Sequence, residues 1–281
     1  MMLRRGFSVL VLVTIAFFAL GSASAKDAGN SNDYLALGDS IPFGYIAQVR
    51  FEYINPLNFV GYPDWTGLGF GLNTANAGCP GETSGSFLSS GAPDNGCRLY
   101  RGHVPLHVNY GSATTQMEYA TTFLQQHGGT ALVTIQVGGN DVALLEQVCN
   151  NDPTCIATGL PQVLAAAANN MATILGGLRA TGYAGPIVIV NYYSTDYSNQ
   201  GVTQIYSALN QAITSPAPFF GATVADVFSA FQAAAAQAGG KPCVAGLLNG
   251  LSTVSTVLQC DVHPSQSGHK LITQTIGSAN H

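Results

Sequence analysis

Charge is what this sequence has least of. Only 8 % of its 281 residues are Asp, Glu, Lys or Arg, against roughly 25 % in an ordinary soluble domain. The nine basic residues form no stripe, which argues against nucleic acid and anionic membrane surfaces as partners. No Cys-x-x-Cys occurs, so structural zinc has no ligand pair of the usual spacing. No apolar run reaches the roughly 20 residues that span a bilayer. No internal repeat and no Pro/Ser-rich linker divides the chain. Neutral polar residues and 33 glycines stand in for the missing charge, while the hydrophobic share is 47 %. Few apolar residues with high net charge would mark disorder, and this composition is the reverse. The length provides ample material for a buried core.

Met1 to Ala25 combines Arg4-Arg5, an apolar run from Phe7 to Leu20, and Ala23-Ser24-Ala25. A basic start, a short apolar centre and a small-x-small end describe a secretory signal peptide over residues 1–25. A membrane anchor is the competing reading, but the run is too short and carries Ser8 and Thr14. Cleavage near Ala25 leaves one domain over residues 26–281, exported and with no stable membrane insertion. Removal of Arg4 and Arg5 takes the formal charge from −5 to −7.

Export makes the cysteines readable. Cys79, Cys97, Cys149, Cys155, Cys243 and Cys260 are even in number and fall into three close couples. Loop-closure entropy favours near neighbours, which predicts the pairs 79–97, 149–155 and 243–260.

Along the mature chain strand patterns alternate with helical ones. Strands are predicted at Asp33–Gly38, Leu72–Ala77, Ala131–Val137, Ile187–Val190 and Gly221–Phe228. Helices are predicted over about 58–70, 115–127, 160–181, 200–214, 229–238 and 265–276. Such alternation argues an α/β fold, a parallel sheet with helices on both faces. In such sheets the chemistry lies in loops at the carboxyl ends of the strands.

Four loops carry candidate chemistry. Leu37-Gly38-Asp39-Ser40 ends the first strand, and a serine beside a permissive glycine is placed as an exposed nucleophile. Cys260-Asp261-Val262-His263-Pro264 offers a histidine base with an acid nearby; a solvated histidine near a helix N-cap is the plainer alternative. Val137-Gly138-Gly139-Asn140-Asp141 offers an amide and glycine N–H groups to an oxyanion, or else a capped strand-to-helix turn. Gly78-Cys79-Pro80-Gly81-Glu82-Thr83 adds a further glycine N–H after the second strand.

Taken together and in this order, Gly-Asp-Ser, the later glycine, Gly-Gly-Asn-Asp and Asp-x-His-Pro resemble the four sequence blocks of the SGNH (GDSL) hydrolases. The resemblance spans Asp33 to Gly268, nearly the whole mature chain. It implies a three-layer flavodoxin-like fold with a five-stranded parallel sheet and a secreted serine-dependent carboxylic-ester hydrolase, an esterase or lipase. Position by position, it implies Ser40 as nucleophile and His263 as base. It places the oxyanion hole at the Ser40 and Gly81 N–H groups and the Asn140 side chain, with Asp39 and Asp141 bracing the loops. One position departs from the family pattern: Cys260 stands where the acid is usual, and Asp261 is one residue nearer the histidine. Either the Asp261 carboxylate or the Cys260 carbonyl would then orient His263. A carbohydrate O-deacetylase, a phospholipase and a non-catalytic binding protein of the same fold are the alternatives.

The mechanism requires no metal and no organic cofactor; the expected partner is a small-molecule or lipid ester, and a monomer is the expected state. His103-x-x-x-His107 has the spacing of a helical metal pair, but Pro105 lies between. Asn191-Tyr192-Tyr193 is placed to line an acyl pocket or to pack, and Trp65 is expected against the sheet.

Overall fold

The computed structural model describes residues 31–47, 55–251 and 259–280; the segment read as a signal peptide lies outside them. Five strands, β1 (Asp33–Gly38), β2 (Asn73–Asn76), β3 (Leu132–Gln136), β4 (Ile187–Val190) and β5 (Thr223–Ala225), form one parallel sheet in the order β2-β1-β3-β4-β5. This is the flavodoxin-like order, with its topological switch between β1 and β3. The three inner strands are buried almost residue for residue, whereas β2 and β5, on the edges, are partly exposed. A strand covered on both faces reads as a continuous apolar run, which is why LVTIQ and IVIV stand out in the sequence.

Two sets of helices cover the sheet. The long α7 (Pro153–Ala180) packs on α3 (Ser84–Leu88), α5 (Gln116–Gln126), α6 (Gly139–Val148) and α8 (Gln200–Thr214). The last helix, α10 (Gln266–Ala279), packs on α2 (Tyr62–Phe70) and α9 (Val227–Ala235). Leu35, Leu37, Ile135, Ile189, Ile174, Phe231 and Ile272 are among the core side chains with no exposure, each worth about 1.5–3 kcal/mol of apolar transfer. Several of the few acids serve as helix caps: Asp39 accepts from Ile41 N–H, Asp152 from Cys155 N–H and Asp226 from Ser229 N–H. Such caps contribute about 1 kcal/mol each.

Several boundaries differ from the sequence reading. The strand predicted over Gly221–Phe228 is only Thr223–Ala225, because Asp226 caps α9 and turns Val227 and Phe228 into helix. The helix predicted from residue 160 starts at Pro153 and runs through Pro161. Pro161 withholds an N–H from the carbonyl of Ala157, but both residues are exposed and water can serve that carbonyl. The helix expected from residue 58 begins at Tyr62, after a 3₁₀ turn at Pro56–Asn58. A two-stranded antiparallel hairpin, β6 (Leu248–Gly250) with β7 (Cys260–Pro264), was not foreseen. The three disulfides are 79–97, 149–155 and 243–260, with Cα separations of 5.5, 5.5 and 5.7 Å.

Candidate active site

The turn after β1 is built around a glycine. Gly38 has φ +138°, and a Cβ there would lie 2.0 Å from the Gln136 carbonyl oxygen of β3, so a side chain would force the two central strands apart. Buried Gln116 grips this glycine from both sides: its Oε1 accepts the Gly38 N–H at 2.5 Å and its Nε2 donates to the Gly38 carbonyl at 3.0 Å. Asp39 follows, 2 % exposed. It accepts the Ile41 N–H at 2.9 Å and the Tyr192 hydroxyl at 2.5 Å. Burial pushes its pKa up to about 6 against the pull of those bonds. Ser40 is thereby fixed as the first residue of the short helix α1 (Ser40–Phe43).

His263 comes to Ser40 from β7. Successive side chains of a strand alternate between its faces, so Asp261 and His263 project to the same side. His263 Nε2 lies 2.9 Å from Ser40 Oγ, and Nδ1 lies 2.9 and 2.8 Å from the two Asp261 carboxylate oxygens. Of the two groups left open, the Asp261 carboxylate is the one that lies within hydrogen-bond distance of His263 Nδ1. Burial opposes charge on Asp261, but hydrogen bonding and electrostatic attraction to His263, with the Ala47 and Val262 N–H groups, outweigh it and hold the carboxyl below its usual range. Tyr45 sets its ring edge-on to the imidazole, centroids 5.0 Å apart. Tyr193 donates its hydroxyl to the Val262 carbonyl at 2.6 Å and so ties β7 to the end of β4.

Asn140 approaches from the start of α6. Its Nδ2 donates to the Glu82 carbonyl at 3.1 Å, and its Oδ1 accepts from Asn95 Nδ2 at 2.9 Å. With Oδ1 occupied by Asn95, the amide is oriented and keeps one N–H for another acceptor. Asp141 accepts from the Ser84 N–H and hydroxyl at 2.8 and 2.6 Å, which ties α6 to the loop carrying Gly81. Gly81 itself has φ +88°, and a Cβ would meet the Asn95 carbonyl at 2.3 Å. Ser40 and Asn140 line the cleft, whereas Gly81 does not.

Residues 36–271 match the GDSL-like Lipase/Acylhydrolase family. The chain belongs to that family. A comparison with curated proteins gives no match. Among solved structures it is similar to phospholipase A1 from Streptomyces albidoflavus NA297, at 17 % identity and TM-score 0.57, covering 89 % of this chain and 99 % of that one. It is also similar to Axe2, an acetylxylan esterase from Geobacillus stearothermophilus, at 15 % identity and TM-score 0.54, covering 91 % and 96 %. The lipase Lip_vut3 from a goat rumen metagenome gives 16 % identity and TM-score 0.52, covering 88 % and 96 %. At these identities the likeness is one of fold; family membership is what places the chain among ester hydrolases.

The cleft of this GDSL family member has a volume of about 240 Å³ and opens beside Ser40 and His263. Ile41, Val142, Ala143, Ile205 and Leu209 make its apolar walls. Tyr192 and Tyr193 serve in both of the ways the sequence left open: both line the cleft, and both are buried in the packing behind it. Asn95 and Gln116 were missed by the sequence reading; neither sits in a motif, and each acts only through the fold.

The two histidines read as a possible metal pair are not on one helix face. α4 (Cys97–His103) ends before Pro105, His103 Nδ1 bonds the Leu99 carbonyl and His107 Nε2 the Phe43 carbonyl. Cys79, Glu82 and Cys97 are the one group close enough to share an ion among the described residues, and the disulfide occupies both sulfurs. Trp65 packs on α10 instead of on the sheet: its Nε1 donates to Gln266 Oε1 at 2.9 Å and the Lys270 ammonium lies 4.3 Å from its ring centre.

Proposed function

We propose that this ester hydrolase is an exported serine esterase that works through an acyl-enzyme on Ser40. The observation that carries the reading is the unbroken relay Ser40 Oγ, His263 Nε2, His263 Nδ1, Asp261 carboxylate, every link between 2.8 and 2.9 Å. His263 takes the Ser40 proton as Oγ attacks the ester carbonyl, and Asp261 holds the imidazole in the tautomer that receives it. The carbonyl electrons move to the oxygen, where the Ser40 N–H and the free Asn140 N–H, both on the cleft wall, hydrogen-bond to it. The tetrahedral centre collapses, the alcohol leaves with the proton from His263, and water attacks the acyl-Ser40 with His263 again as base. Release of the acid restores the serine. Losing one oxyanion donor typically raises such a barrier by about 2.7–4 kcal/mol.

Export is supported by three disulfides, which persist in oxidising compartments. No helix among the described residues is long and apolar enough to cross a membrane.

Labelling with a serine-reactive fluorophosphonate tests the mechanism. Wild type is expected to label covalently, and Ser40→Ala to remain unlabelled with hydrolysis of a nitrophenyl butanoate lost. An unlabelled wild type, or equal labelling of Ser40→Ala, overturns the reading. Acetylated sugars and phospholipids added to the same panel separate the esterase from a deacetylase and a phospholipase.

A further inference from the structure

The cleft beside Ser40 does not end as an alkyl pocket would. Two carboxylates line it. Asp39 is fully engaged, by the Ile41 N–H and the Tyr192 hydroxyl. Glu146 is not: it is half-buried on the cleft wall and, among the described residues, its carboxylate accepts no hydrogen bond and forms no ion pair. On the same wall stands Tyr206, whose hydroxyl has no hydrogen-bond partner among the described residues; burial, and then the charge of Glu146, push that phenol up to about 12. Both groups face a space whose nearer walls are apolar.

Tyr206 stands on α8, whereas Glu146 shares α6 with Asn140, and that helix sets how far the carboxylate lies from the amide. Asn140, Ala143 and Glu146 line the same cleft from successive turns of α6. At 1.5 Å per residue, Glu146 lies about 9 Å along the axis from Asn140. An acyl group whose carbonyl oxygen sits at Asn140 and whose tail follows this wall passes Val142 and Ala143 first and then reaches the carboxylate. An alkyl tail long enough to cover Glu146 would strip water from the charge and offer no hydrogen bond in return. A hydroxyl at the same depth would donate to it.

We infer that Glu146, with Tyr206, closes the acyl subsite and selects short acyl groups together with acyl groups that carry a hydrogen-bond donor at their far end. The inference rests on the acyl-enzyme reading of Ser40 and adds the substrate class. Glu146 is a specificity determinant here and takes no part in bond making.

The test compares nitrophenyl esters of butanoate, dodecanoate, octanoate and omega-hydroxyoctanoate on wild type, Glu146→Gln and Glu146→Leu. Wild type should favour butanoate over dodecanoate and the hydroxylated octanoate over the plain one. Glu146→Leu should raise the dodecanoate-to-butanoate ratio of kcat/KM about tenfold or more and erase the hydroxyl preference. Glu146→Gln keeps the shape and removes the charge, so both ratios should move the same way by a smaller factor, and it decides the matter if the leucine variant does not fold. Ratios unchanged in the folded variants overturn this inference; if Ser40 still takes the fluorophosphonate, the acyl-enzyme reading stands. A wild type that hydrolyses none of the esters overturns both.

Discussion

The two halves of the relay are held in different ways. Ser40 stands on the central sheet, behind a glycine that admits no side chain, a buried glutamine that grips that glycine and an aspartate 2 % exposed. His263 stands on a two-stranded hairpin outside the sheet, held by the 243–260 disulfide, the Tyr193 hydroxyl and the Ala47 N–H bonded to Asp261. One half takes its position from the hydrophobic core. The other takes it from a few polar contacts and a covalent tie. On the proposed reading, the nucleophile is fixed together with the sheet, whereas the base depends on these fewer ties.

This contrast is broken most directly at Asp261. If the hairpin orients His263 through that carboxylate, Asp261→Asn should lower kcat by about a thousandfold to ten-thousandfold, with KM and melting temperature little changed. Asp261→Ala retaining most of the activity would return the role to the Cys260 carbonyl.

A second prediction concerns the buried side. Glu82 is 3 % exposed, bonded by Ser86 and Gln116, and burial pushes its pKa up to about 7 from 4.5. An acid whose folded pKa exceeds its unfolded one binds more protons when folded, so its contribution declines as pH rises from about 4.5 to about 7. That shift corresponds to about 3 kcal/mol at about 1.36 kcal/mol per unit. Denaturant unfolding should show wild type losing stability relative to Glu82→Gln across that window. Parallel pH curves for the two proteins would place the Glu82 carboxyl in water.

The smallest effect tests the covalent tie. Mild reduction should cut activity severalfold at a reductant concentration where far-UV circular dichroism still reports an intact sheet, and Cys243→Ser/Cys260→Ser should reproduce the loss. Activity and ellipticity falling together would mean that the hairpin is as firmly held as the sheet.

The same division governs what could be read from sequence. β3 and β4 announce themselves because burial on both faces demands unbroken runs such as LVTIQ and IVIV. The edge strands β2 and β5, three or four residues long and partly exposed, carry a weak pattern; Asp226 shows that one capping residue can end a strand that apolar content alone would extend. The hairpin is illegible because LNG pairs with CDVHP across an irregular register. Its consequence is chemical: an acid two positions before the histidine looks misplaced until strand alternation puts both on one side. Ser40, His263 and Asn140 lie in motifs. Gln116 and Asn95 act over 78 and 45 positions of chain, and no local pattern encodes such contacts.

The Ser40–His263 hydrogen bond joins positions 223 residues apart. Closing so long a loop is among the costliest single contacts the chain makes in entropy, and it cannot form until β7 is in place. During synthesis the N-terminal part of the chain emerges first, so a growing polypeptide can build β1, the Ser40 turn and β3 while still without His263. On the proposed mechanism, hydrolysis on refolding therefore cannot precede the arrival of β7, and a nascent chain that lacks His263 cannot cleave an ester by this relay.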